Sequence, residues 1–266
     1  MRDSEVEQLA DSVLQLYRLT IPLDLEKIAA EEGIELVAGQ FGADFHGRIE
    51  YLPEERVFAI YHPENSGEVF PGRIRFTVAH ELGHFFIPEH RELLLRDLVH
   101  DSSEDFSSSR QIEREADRFA SALLMPGAVL KQKMGRKEFL SLREIREVAA
   151  QCGTSLQAAA FRCTQFASEP HLAIVSANQR VLYYFTSEEA NALGFGGLGT
   201  KSVPSESPAM RALLDESGAI HEDETNTETW FSERARRADL WEESVNLGYD
   251  KRVLTLLSWR EYDADE

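Results

Sequence analysis

The sequence predicts an α+β chain in two parts: a small sheet and a helix bundle over residues 1–168, then a smaller α+β region over residues 171–266. Three observations carry this. Apolar residues recur at helical spacing in several segments before residue 168. Short strand-like runs lie between the second and third of those helices. Beyond Glu169-Pro170 the period shortens and strands dominate.

In the first helix, Ser4 to Leu19, the residues Val6, Leu9, Val13, Leu16 and Tyr17 fall near one face. Asp24 caps a short helix, Leu25 to Glu32, that ends at Gly33. Ile34–Val37, Gly47–Leu52 and Val57–Tyr61 read as three strands, and residues 62–67 as a turn-rich break. Pro71-Gly72 opens the next helix and Pro88 closes it. Residues 96–109 are polar and read as a mobile loop, with Ser108 and Gln111 as a capping box for a helix running to about Leu124. Met125-Pro126 ends that helix or starts another, and two more follow, Ser141 to Gln151 and Ser155 to Phe166. The second part reads as strands at His171–Val175 and Val181–Phe185 and a loop over 194–207. A helix near Ser207–Glu216 and late strands around Trp230 and Val253–Trp259 complete it.

Composition bounds the function. A net charge of −19 in 266 residues is spread over both parts, so the chain repels phosphate backbones and favours a basic protein partner over direct nucleic-acid contact. No run approaches the roughly 20 apolar residues of a membrane span, and the N-terminus has no signal-peptide core, so the expected compartment is the cytoplasm. Cys152 and Cys163 lack a neighbouring Cys or His at zinc-site spacing and read as small buried hydrophobes.

The most informative segment is His80-Glu81-Leu82-Gly83-His84, an H-E-x-x-H signature. Residues four apart share a helix face, so His80 and His84 can direct imidazole nitrogens at one metal ion while Glu81 stands beside them as a general base. The bland alternative is a pair of solvated histidines. Against it, Ile74, Val78, Leu82, Phe85 and Phe86 make this a core helix, where buried polar groups need partners that a metal would supply.

A catalytic zinc usually takes three protein ligands. His90 sits six residues after His84, but the turn that spacing requires needs Gly where Ile87 stands, so His90 reads as a solvated loop histidine. Glu113 is the stronger candidate. Ala116, Phe119, Ala120, Leu123 and Leu124 mark its helix face as inward, which would complete a His-His-Glu set. Asp117, one turn on, can accept from the far nitrogen of a ligand histidine and fix its tautomer. The alternative is that both acids, with Glu115, form a solvated face.

Arg75-Phe-Thr-Val-Ala-His80-Glu-Leu-Gly-His84, followed by Glu113-Arg-Glu-Ala-Asp117-Arg-Phe-Ala-Ser-Ala-Leu-Leu-Met-Pro126, resembles the ImmA/IrrE family of bacterial metallopeptidases over roughly residues 5–166. The resemblance implies a gluzincin-like fold and a cytoplasmic protease holding Zn2+, or Mn2+. It also implies a helix-turn-helix transcriptional repressor as substrate, cut in a stress-response or other regulatory circuit. No DNA-binding segment fits before Pro22, so that repressor would be a separate polypeptide. Residues 149–162 look superficially like a helix-turn-helix and read as two packed helices. Residues 171–266 have no assigned role. The oxyanion donor is left open among Tyr51, His90 and an arginine, and an extended peptide is expected to pair with an edge of the small sheet. The alternative function is a metal-bound interaction module, of repressor-binding or toxin–antitoxin type, without proteolysis.

Overall fold

The computed structural model describes residues 1–18, 20–41, 46–65, 70–97, 99–101, 109–134, 140–195, 197–199, 201–231 and 238–259. They form two compact units, residues 1–126 with 150–155, and residues 127–149 with 156–266. The division falls earlier than the boundary expected at 169.

In the first unit, α1 (Asp3–Leu16) buries Val6, Ala10 and Val13, and α2 (Leu25–Glu32) starts where the Asp24 carboxylate accepts from the Lys27 amide at 2.9 Å. The sheet comprises β1 (Ile34–Gly39), β2 (Arg48–Leu52), β3 (Val57–Pro63) and β4 (Val99–Asp101), in the order β1-β3-β2-β4. β1 runs parallel to β3, while β2 is antiparallel to both β3 and β4. Two helices build the site against it, α3 (Pro71–Phe86) and α5 (Ser109–Leu124), with α4 (Pro88–Asp97) between them in the chain. Ile49, Ile60, Leu82, Phe85, Phe119 and Leu123 are fully buried in this core.

Pro88 does end the motif helix, but it opens α4 directly, because proline suits the first turn of a helix, where its missing N–H is no loss. The expected loop at 96–109 is therefore a helix end and the strand β4 up to Asp101. Residues 102–108, including the expected Ser108 cap, lie outside the described residues.

The second unit carries α6 (Gly127–Met134), most of α7 (Leu142–Cys152) and α8 (Leu156–Phe166). Its sheet has β5 (His171–Ala177), β6 (Arg180–Thr186), β7 (Ile220–Asn226), β8 (Asp239–Asn246) and β9 (Arg252–Trp259), all antiparallel, in the order β6-β5-β9-β8-β7. Short helices α9 (Glu188–Ala192), α10 (Pro208–Leu214) and α11 (Thr227–Trp230) connect them. α8 belongs here because Phe161 stacks on Phe185 of β6, with ring centroids 4.0 Å apart. Trp230 lies in α11, not in a strand, and is fully buried in a core with Trp259, Phe195 and Phe231.

Candidate metal centre

α3 and α5 cross closely, with Gly83 at their contact. A Cβ built on Gly83 would stand 3.2 Å from the Ala116 Cα and 3.2 Å from the Phe119 ring. That approach lets a carboxylate on α5 reach imidazoles on α3. His80, His84 and Glu113 converge there. The two Nε2 atoms are 3.1 Å apart, and Glu113 places Oε2 3.2 Å from His80 Nε2 and Oε1 3.6 Å from His84 Nε2.

These distances test whether a metal fits. Bonds of 2.0–2.1 Å in a tetrahedral set put ligand atoms about 3.4 Å apart. The three distances bracket that value, the two to Glu113 being to different oxygens of its carboxylate, and a donor set of two imidazole nitrogens and a carboxylate is that of a catalytic zinc with one position left for solvent or substrate. Glu81 and His84 are each 1% exposed and His80 7%, while the Glu113 side chain is 24% exposed, so the group is buried on the α3 side and reached by solvent on the α5 side.

His80 Nδ1 donates to Asp117 Oδ1 at 2.9 Å, which orients the ring so that Nε2 faces Glu113. Burial alone would lower the His80 pKa. The hydrogen-bonding carboxylates of Asp117 and Glu113 outweigh it and lift it to about 10. The pocket therefore draws positive charge, either a proton or a divalent ion.

Residues 67–164 match the model of a peptidase family described as "IrrE N-terminal-like domain". Through this stretch the chain is similar to the ImmA/IrrE metallopeptidases. His80, Glu81, His84, Glu113 and Asp117 all fall inside the matched region. No curated protein matches the chain. A solved structure described as a Mycobacterium tuberculosis transcriptional regulator has 13% identity and a TM-score of 0.60, covering 96% of this chain and 76% of its own length. At that identity the likeness concerns the fold alone.

His90 is not a solvated loop residue: it lies on α4, 3% exposed, with Nε2 3.2 Å from Glu115 Oε2 and its ring 5.1 Å from that of His84. The apolar residues of α4, Leu93, Leu94 and Leu95, are consecutive and show no helical spacing, so the sequence does not mark an inner face for His90. Tyr51, an expected oxyanion candidate, packs its ring 5.0 Å from that of Phe58.

Proposed function

We propose that this chain is a zinc-dependent endopeptidase that cleaves a separate helix-turn-helix transcriptional repressor in the cytoplasm. The observation that carries the hydrolytic reading is the His80–His84–Glu113 triangle with Glu81 on the same helical turn. His80, His84 and Glu113 would hold the ion, and Mn2+ suits the same donors. A divalent ion there supplies Lewis acidity, polarising a peptide carbonyl and acidifying water. Glu81 takes the proton from the attacking water and returns it to the departing amine. Asp117 keeps His80 in the tautomer that presents Nε2. The burial of His80, Glu81 and His84 strengthens the charge interactions made there.

The choice of substrate rests on the family and on charge. A chain of net charge −19 attracts basic proteins and repels DNA, so a DNA-binding repressor is met as a protein and not on its operator. No helix among the described residues is long and apolar enough to cross a membrane.

The direct test is incubation of the full chain with the repressor encoded beside it, with zinc, with manganese and with chelator. The expected result is a metal-dependent cut that the Glu81→Gln variant does not make. If Glu81→Gln cuts as well as wild type, Glu81 is not the base; if the wild type binds the repressor and never cuts it, the chain is a binding module.

A further inference from the structure

The segment just before β2 is fastened to α3 at three successive turns of that helix. Arg73 Nη2 lies 3.0 Å from His46 Nδ1, and Thr77 Oγ1 donates to the His46 carbonyl at 2.9 Å. One turn further, Glu81 lies against Gly47. Positions 73, 77 and 81 are four apart, so they form one stripe of α3, and that stripe ends on the proposed general base. Arginine can only donate, so His46 Nδ1 is the acceptor in the first contact and the segment is held by a directional bond at each of its two attachments.

The contact at Gly47 has no spare room. A Cβ built there would stand 2.6 Å from Glu81 Oε1 and 2.6 Å from Thr77 Cγ2, distances at which something must shift. The backbone of Gly47 therefore occupies one wall of the space that holds the Glu81 carboxylate. It can do so only because it carries no side chain. Such a glycine at the mouth of a strand marks a close approach of backbone to another group.

We infer that Gly47 is a positioning residue for Glu81: the Arg73–Thr77 fastening brings its backbone against the carboxylate and limits where Oε1 can sit. The inference rests on Glu81 being the general base, and it assigns a function to a residue outside the region matched by the family model. Gly47 touches neither the proposed ligand atoms nor the substrate in this role. Its effect passes through Glu81, whose placement within about 0.5 Å decides how well it accepts a proton.

Two measurements test it. In the first, Gly47→Ala in the zinc-loaded full chain is expected to keep the metal affinity of wild type within about twofold. Its kcat should fall at least tenfold with KM little changed, because the base is displaced and the ligands are not. Loss of zinc in step with activity would overturn the inference in favour of a general structural role, as would wild-type kcat. The second needs no activity. In a double-mutant cycle on the thermal midpoint, Gly47→Ala should lower the midpoint in the wild-type background and lower it by less than half as much beside Glu81→Ala. An equal drop in both backgrounds overturns the inference. If Gly47→Ala does not fold, the cycle is run in Thr77→Ser, which removes the Cγ2 contact and leaves Glu81 as the obstacle. A wild type that cuts no substrate would sink the peptidase reading while the midpoint cycle still decides the contact between Gly47 and Glu81.

Discussion

At the scale of single residues, the site divides into what helical spacing reveals and what only space reveals. His80, Glu81 and His84 are legible because one turn of helix fixes their relation. Glu113 and Asp117 are legible because the apolar residues beside them face the core. Gly47 is different. It stands 34 positions before Glu81 in the chain, and a glycine opening a strand gives no hint of the carboxylate that needs its space. His90 misleads for the opposite reason, since its helix is polar and its burial comes from the elements around it. Glu81→Gln keeps the size of the side chain and removes the base. It is expected to retain metal content and melting behaviour while cleavage falls by on the order of two to four decades. Metal analysis and single-turnover rates on one sample check this, and near wild-type cleavage by a metal-loaded variant would remove Glu81 from the mechanism.

At the scale of elements, the crossing of α3 and α5 is the decisive contact, because it turns two separate amphipathic helices into one ligand set. Gly83→Val should wedge them apart, at a cost of about 1–3 kcal/mol for overpacking. It should draw Glu113 away from the histidines and weaken zinc binding by tenfold or more in a competition titration. Unchanged affinity would show that the helices can yield without moving Glu113. The sheet of the second unit was harder to read. β7 and β8 are rich in acids, and strand signals depend on apolar alternation. β8 nevertheless lies inside the sheet, because its acids have partners there: Glu242 accepts from the Ala209 amide and from Trp230 Nε1, both at 2.8 Å. Its neighbour Glu243 accepts from the Leu142 amide at 3.2 Å and sits directly across from Glu222 on β7. Burial, reinforced by Glu222 and Glu144, pushes its pKa from 4.5 up to about 7. Between those values the folded chain holds a proton that the unfolded chain has lost, so stability falls as pH rises through that window. Glu243→Gln should therefore raise the thermal midpoint at pH 8 by a few degrees and leave it nearly unchanged at pH 5. A variant no more stable at pH 8 than wild type would show that the Leu142 bond, and not the charge, governs this position.

At the scale of the molecule, the chain groups into two compact units, residues 1–126 with 150–155 and residues 127–149 with 156–266. The change to strands after Glu169-Pro170 is real, yet α6, most of α7 and α8 group with the later strands, because helices join whichever core their apolar faces meet. The chain thus enters the second unit at 127, returns to the first for 150–155 and leaves again, and α7 contributes residues to both. The chain passes between the two units three times, which makes one cooperative transition the expected behaviour. The tryptophans allow a clean test. All three, Trp230, Trp241 and Trp259, belong to the second unit, whereas the proposed ligands belong to the first. Zinc at a thousandfold excess over its dissociation constant should stabilise the folded chain by about 4 kcal/mol. For a chain of this size that corresponds to a rise of roughly 8 °C in midpoint. If the units unfold together, tryptophan fluorescence will report that rise although no tryptophan lies in the unit that holds the proposed ligands. If fluorescence melts at the same temperature with and without zinc while circular dichroism shows a second, zinc-shifted step, the units are energetically independent and the shared helix does not couple them.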